Sequence, residues 1–496
     1  MAEKSLHAMP EIFVSTSDTT IMVSRAVKSG ELRKLASRLY TKNLSDLPEV
    51  IVKRHLWQIV GGYFPGALIA DRTALENAPA PDGSICLITD KGKDIELPGI
   101  TLRPRRGIGV LPGDPPFIGS LFISLTARAY LDNMRVSRGR GNSLPRTLTR
   151  RELEERLDKL IRLSGEQAVN KLRDDVRAIA IKLDMHNEAQ AFDELVGALL
   201  GTRDTILSSP EGKARKSGSP FDPERLILFQ SLYAALRNSP PVTRLAQQRS
   251  AEATATLAFF ESYFSNFIEG TEFEVAEAAS IVFNGVIPTM RPEDAHDVLG
   301  TWRIVSSSYE MQQVPRDYTS LLRLLKARHF AIMERRLDKR PGEFKQTGNR
   351  AGSTTFVAPE LVEGTLKIGF ELYQSLETPF QRALFMMFLI SEIHPFADGN
   401  GRVARIMMNA ELVAAGEERI IIPTVYRSNY LSALKTLSQT GYVQALIRTL
   451  DFAQKWTNAI DWGILKDTEK MLKECNAFLD PAVADEEGKR LRMPLS

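Results

Sequence analysis

Residues 394–405 read HPFADGNGRVAR and follow ALFMMFLI (383–390), the longest uninterrupted apolar run in the chain. A histidine, a carboxylate, two glycines, an asparagine and two arginines at the end of a buried helix are residue types suited to a polyanion and a metal. Gly399 and Gly401 permit backbone angles closed to other residues and let a ligand approach the main chain. The N–H groups after them open the next helix, where unpaired donors and the positive dipole end favour phosphate. Arg402 and Arg405, three apart, project from one helical face. With the nest of Gly399, Asn400 and Gly401 they make a polyphosphate site. Asp398 beside it suits Mg²⁺, which takes one or two protein oxygens plus phosphate oxygens and water. His394, four residues earlier, can face the same cavity and accept a proton from a hydroxyl attacking phosphorus. No Gly-Lys-Ser/Thr ending follows, so this is not a Walker sequence.

The elements that must hold this stretch are helices. Apolar spacing predicts them over 223–237, 243–268, 272–283, 292–308, 316–337, 359–375, 378–393, 401–415, 427–438 and 441–460. RPGEFKQTGNRAGSTTFVAP (340–359), with its Pro-Gly, Gly-Asn and Ala-Gly pairs, predicts a β-hairpin among them. Upstream, TIMVSRAVKSGELRKLASRLY (20–40) reads as two short helices joined at Ser29-Gly30. Val23, Val27, Leu32, Leu35 and Leu39 would face inward, leaving Arg25, Lys28, Arg33, Lys34 and Arg38 for DNA phosphates. A helix over 47–64 and short strands in GALIAD and GSICLITDKGKDIELPGITLRP then suggest a winged helix. GTRDTILSSPEGKARKSGSPFDPE (201–224) is rich in Gly, Ser, Pro and charge and marks the main boundary.

Composition sets the class. At 496 residues, 43% hydrophobic and 25% charged, the chain has material for several cores and no disordered bias. No run approaches the roughly 20 apolar residues of a membrane span, and the N-terminus lacks an apolar signal core, so a cytoplasmic location without membrane contact is expected. Cys86 and Cys475 lie far apart, against a disulfide framework or zinc cluster. Residues 1–150 hold 21 Lys and Arg against 14 Asp and Glu, while the whole chain is only +3; a basic front half is compatible with nucleic acid. His7, His55, His186, His296 and His329 have no ligand-like spacing and read as structural or solvent-exposed.

Residues 394–405 match the signature of Fic-domain proteins, His-Pro-Phe-x-Asp/Glu-Gly-Asn-Gly-Arg-x-x-Arg, at every defined position. The resemblance covers roughly 225–460. It implies an all-helical domain, most active members of which transfer AMP from ATP to a protein hydroxyl, with Mg²⁺ as cofactor. It implies His394 as the base and Asp398 as the metal ligand. Gly399, Asn400 and Gly401 become the anion hole, and Arg402 and Arg405 the grip on the β- and γ-phosphates. Relatives that transfer the γ-phosphate carry Lys where Gly401 stands. The hairpin resembles the family's flap, which aligns a target segment, with Thr354, Thr355, Phe356 and Val357 on the target-facing strand. RSNYLSALKTLSQTGYV (427–443) resembles the adenine-side helices, with Asn429, Tyr430 and Leu434 as candidates. SNFIEGT, carrying Ser265, Glu269 and Gly270, resembles the family's N-terminal inhibitory helix. It implies that Glu269 pairs with Arg405 and displaces the γ-phosphate.

Residues 1 to about 205 also resemble the winged-helix antitoxin and regulator family of bacterial abortive-infection systems, through VSRAVKSGELRKLASRLYT, YFPGALIADRTAL, the helical stretch after residue 147 and LLGT (199–202). The expected architecture is thus mainly α, with an α/β front. It comprises a winged-helix-like domain (1–105), a helical antitoxin-like region (106–205) and a linker (206–224). An inhibitory-helix region (225–310), a Fic core (311–465) and a C-terminal tail (466–496) follow. The expected activity is self-inhibited AMP transfer to Ser, Thr or Tyr of a protein, which could be the chain itself. A hydrolase removing AMP through the same site, and a DNA-binding regulator using the Fic part as a nucleotide sensor, stay open as alternatives.

Overall fold

The computed structural model describes residues 6, 9–90, 92–139, 141, 143–240 and 242–494. The chain divides into two compact units, Met1–Gly218 and Ser219–Ser496. Mainly helical structure, 57% of residues, bears out the expected class. His7 lies outside the described residues.

The first unit opens with β1 (Ile12–Val14), α1 (Thr20–Lys28), β2 (Arg33–Ala36) and β3 (Leu39–Thr41). The three strands form an antiparallel sheet in the order β1-β3-β2. This corrects the expected helix-turn-helix: α1 ends at Lys28, Gly30 turns at φ 79° and the would-be second helix is a hairpin. Leu35 and Leu39, four apart, fit either a helical or an alternating period over so short a stretch, while Leu32 fits only the helical one. The tie is broken by β1, which pairs Val14 with Leu39 from earlier in the chain. The basic residues therefore share no recognition helix. Arg25 and Lys28 are exposed on α1, Arg33 donates to the Asp46 carbonyl at 3.1 Å, and Arg38 donates to the Ser15 carbonyl at 3.0 Å.

Two helices, α2 (Pro48–Arg54) and α3 (Leu56–Tyr63), replace the single one expected over 47–64. β4 (Leu68–Ile69), α4 (Asp71–Glu76), β5 (Ser84–Ile88), β6 (Ile95–Leu97), β7 (Ile100–Arg105) and β8 (Phe122–Ile123) follow, and the strands make a mixed sheet in the order β6-β7-β5-β4-β8. β5 is buried at every position, as a central strand covered on both faces must be. α5 (Thr126–Asn133) leads to α6 (Arg150–Leu183), which Thr149 and Glu152 open as a reciprocal capping box and Gly165 interrupts at φ 77°. α7 (His186–Leu199) packs back on it. The expected linker contains α8 (Pro210–Lys216), tied to α6 by Arg215 Nε on Asp158 Oδ1 (2.6 Å) and by the Ser209 N–H on Glu154 Oε2 (2.6 Å).

The second unit runs α9 (Pro223–Asn238), α10 (Ala251–Ile268), α11 (Val275–Asn284), α12 (Pro292–Val305), α13 (Ser308–Met311), α14 (Tyr318–Met333), the hairpin β9 (Arg350–Ala351) and β10 (Thr354–Thr355), α15 (Val362–Gln374), α16 (Pro379–Ile393), α17 (Asn400–Ala414), α18 (Arg427–Thr440), α19 (Gln444–Ala459), α20 (Leu465–Glu474) and α21 (Pro481–Glu486). α16 is the centre: Ala383 through Ile390 have 0% exposure, so the apolar run is a helix buried on all sides. Pro379 and a Thr378–Gln381 capping box start it. α10 begins at residue 251 rather than 243, because Ala246 N–H donates to the Gly416 carbonyl and draws the lead-in out of helix. The stretch expected as a tail carries α20 and α21. Beyond them the Arg492 carbonyl accepts from Trp456 Nε1 at 3.0 Å. The aromatic face of α10 leans on this region, Phe264 and Phe260 lying 5.3 and 6.1 Å from Phe478, with Trp462 6.2 Å from Phe260.

Candidate active site

α16 ends at His394, which takes the left-handed conformation (φ 54°, ψ 60°) before Pro395 forbids further helix. For a residue with a Cβ this conformation costs on the order of 1 kcal/mol or more and persists only where its surroundings enforce it. The imidazole Nδ1 is 3.2 Å from the Ser391 carbonyl, so it is the N–H donor and Nε2 keeps its lone pair. Phe356 stacks on the ring, centroids 3.8 Å apart and planes 6° off parallel. Burial, aided by the positive charge of Lys345, pushes the His394 pKa down to about 4 against the pull of Glu269 and Asp398. The ring is therefore a neutral base at physiological pH.

The loop after it is held by its own side chains. Asn400 Oδ1 accepts from the Phe396 N–H (2.8 Å) while Asn400 Nδ2 donates to the Phe396 carbonyl (2.9 Å), leaving this side chain to the loop rather than to a ligand. His329 stacks on Phe396 at 3.8 Å, accepts from the Gly342 N–H at Nδ1 (2.9 Å) and donates from Nε2 to the Asp398 carbonyl (3.1 Å). The structural reading of His329 gains a specific content, a buttress for the loop. Gly399 caps α17 at φ 72°, and a Cβ there would press on Met333 Sδ. Asp398 Oδ1 accepts from the Gly399 N–H (2.6 Å) and its side chain is 43% exposed.

Glu269 lies just past the end of α10, and Gly270 turns the chain away at φ 89°. Glu269 Oε1 accepts from Arg405 Nη2 at 2.7 Å. Ser265 completes the grip, its Oγ 3.0 Å from Arg405 Nε and its carbonyl 2.8 Å from Nη2. A Cβ on residue 401 would collide with Glu269 Oε1, so Gly401 is what lets the carboxylate enter the nest. Burial by itself would raise the Glu269 carboxyl, but Arg405 and then Arg402 outweigh it and hold it below the usual range. With 27% of the Glu269 side chain accessible, solvent still screens the pair.

Arg402 does something different. Its Nη1 is 2.7 Å from Asp297 Oδ2 on α12, with 3% and 2% of the two side chains exposed, and Arg336 holds the same carboxylate through Nε at 2.8 Å. On the other side Arg402 Nη2 stands 3.9 Å from Asp398 Oδ1. Asp297 and Arg336 carry no local signal in the sequence; only the packing of α12 and α14 against α17 brings them in.

An open cleft of roughly 970 Å³ collects Glu269, Thr354, Phe356, Ser391, His394, Gly401, Arg405, Tyr430, Leu434 and Lys435 along its wall. Strand alternation sorts the hairpin: Thr354 and Phe356 face the cleft, Thr355 is exposed, and Val357 is fully buried in the core, so it is not on a target-facing edge. The Thr355 carbonyl is taken by Arg225, which also pairs with Glu392 at 2.8 Å. Of the α18 candidates, Tyr430 and Leu434 share the cleft face. Asn429 is exposed one position round the helix and lines a separate cavity with Tyr426 and Arg490. Among the described residues no cluster of three or more His, Cys, Asp or Glu could hold a metal by itself. Asp398 fits an ion that takes its other oxygens from phosphate and water.

Residues 318–412 match the Fic/DOC family model. Among curated relatives, protein adenylyltransferase fic-1 of Caenorhabditis elegans is 27% identical over 198 residues, 38% of this chain and 38% of that protein. Protein adenylyltransferase Fic of Drosophila mojavensis is 27% identical over 216 residues, 42% of each. Its Drosophila willistoni counterpart is 36% identical over 92 residues, 18% of each. The chain thus spans about two fifths of the length of the first two. A solved C. elegans Fic-1 fragment aligns with 64% of this chain and 97% of its own at 17% identity and TM-score 0.36, too loose a superposition to argue from. The motif, the matched segment and the relatives agree in placing a Fic domain within this chain, at residues 318–412.

Proposed function

We propose that the second unit is a protein adenylyltransferase that holds itself inactive through Glu269. The observation that carries this reading is the place of Glu269: its carboxylate occupies the glycine nest and the Arg405 guanidinium, both suited to a phosphate, while His394 keeps a free Nε2 on the same cleft. In the reaction a protein hydroxyl attacks the α-phosphorus of ATP, its oxygen–phosphorus bond forms, and the bond to pyrophosphate breaks. His394 Nε2 takes the hydroxyl proton. The N–H groups at the start of α17 and Arg405 stabilise the charge that builds on the phosphates. Asp398 is the residue to hold Mg²⁺, whose chemistry there is to neutralise phosphate charge. With Glu269 on Arg405 the γ-phosphate loses its partner and the α-phosphorus is out of line for attack.

The test uses ATP labelled at the α- or the γ-phosphate, with wild type, Glu269→Gly and Glu269→Gly/His394→Ala. Protein-bound α-label that rises in the single variant, by about tenfold or more, and vanishes in the double variant or on chelation of Mg²⁺ supports the reading. Retained γ-label, or no label on any protein from Glu269→Gly, overturns it. A second reading, removal of AMP from a modified protein, draws on the same closeness of Glu269 and His394 in the cleft, where the carboxylate could position water. It predicts AMP release from an adenylylated protein that Glu269→Gly abolishes.

A further inference from the structure

The hairpin does more than border the cleft: it grips the backbone on both sides of the catalytic-base candidate. The Lys345 N–H donates to the Pro395 carbonyl at 2.9 Å, and its ammonium reaches the Ile393 carbonyl at 3.3 Å. These carbonyls belong to the residues immediately after and before His394. The Lys345 ammonium also donates to Asn349 Oδ1 (2.7 Å), and Asn349 Nδ2 donates to the Phe396 carbonyl (3.0 Å). The Asn349 carbonyl in turn accepts from the Phe356 N–H (3.1 Å), and Phe356 lies flat on the imidazole. One short segment therefore binds the carbonyls of residues 393, 395 and 396 and covers one face of the ring between them.

The chemistry of each contact suits this task. The Ile393 carbonyl belongs to the last turn of α16, where acceptors lack helical partners and a cation is favoured. Lys345 is 4% exposed, an environment that a lysine enters only with partners, and burial pushes its ammonium down to about 8. His394 needs such support because its left-handed backbone is strained. We infer that Lys345 and Asn349 are positioning residues for His394, a splint that fixes the backbone around the base and seats Phe356 on its ring.

The inference rests on His394 being the base of the proposed reaction, and the experiment separates the two. Lys345→Met, Lys345→Arg and Asn349→Ala are made in the Glu269→Gly background. Each is assayed for kcat and ATP KM of α-label transfer, for thermal midpoint, and for the rate at which diethyl pyrocarbonate modifies the His394 peptide. Expected is a kcat lower by roughly tenfold or more in Lys345→Met and Asn349→Ala with ATP KM within about twofold, the split that marks loss of alignment rather than of nucleotide binding. His394 modification should speed up several-fold as Phe356 lifts, and Lys345→Arg, which still donates to carbonyls, should recover most of both effects. Unchanged kcat and unchanged modification in folded Asn349→Ala overturn the inference even if Lys345→Met does not fold. If Glu269→Gly transfers no AMP, the proposed reaction fails, while the modification rates still decide whether the hairpin holds His394.

Discussion

Glu269 Oε1 stands where a side chain on residue 401 would have to begin. The relationship has a direct energetic signature. Gly401 has an ordinary negative-φ backbone among the glycines of this chain, so an alanine there meets no conformational strain; what it meets is Glu269 and, at 3.1 Å, Arg405 Nη1. Gly401→Ala should destabilise the wild type by about 1 kcal/mol or more, through loss of the Glu269–Arg405 contact, and do much less once Glu269 is Gly. A double-mutant cycle by chemical denaturation measures the coupling. Equal costs in both backgrounds would mean that the two residues do not compete for the same space.

Arg402 is enclosed with Asp297 as its counter-charge. Removing one partner of a buried pair leaves the other desolvated and uncompensated, at a cost on the order of 3–5 kcal/mol. Asp297→Ala should therefore destabilise the second unit severely, while Asp297→Asn, which keeps an oxygen for Arg402 and Arg336, should cost less. Denaturation midpoints of the two variants check the order; a mild Asp297→Ala would show that Arg402 finds another acceptor.

The depressed pKa of His394 sets the shape of the rate profile. A general base works when unprotonated, and burial holds this imidazole unprotonated down to about pH 4 instead of the ordinary 6.5. AMP transfer by Glu269→Gly should thus lie on a plateau through neutral and mildly acidic pH and fall only as pH approaches the lowered pKa. Initial rates at saturating ATP across that range are the measurement. A half-point near 6.5 would place the working imidazole in a solvated, uncovered state.

How much of this was readable in advance depends on sequence separation. The chemistry of 394–405 is contiguous, so glycine, carboxylate, histidine and arginine types carry it within a dozen positions. Glu269 and its ion pair were legible because a short segment ending a helix bears the family's pattern. Asp297, His329 and Lys345 were not, since each meets the loop only through the packing of another helix or the hairpin, and each alone resembles an ordinary buried polar residue. Arg402 shows the same limit from inside the motif: its identity and helical face were clear, its partner was not. In the first unit, Leu35 and Leu39 admitted two periods, and a strand from earlier in the chain decided between them.

The aromatic wall formed by Phe260, Phe264, Trp462 and Phe478 ties the helix that delivers Glu269 to the far end of the chain. A protein shortened just before Leu465 would keep every side chain of the cleft, yet the lever bearing the glutamate would have lost Phe478 from its fulcrum. If Glu269 is the brake proposed above, such a truncation would act as a leaky switch, with the catalytic groups intact and the restraint on them slackened, and the tightness of control would rest partly on residues that line no part of the cleft.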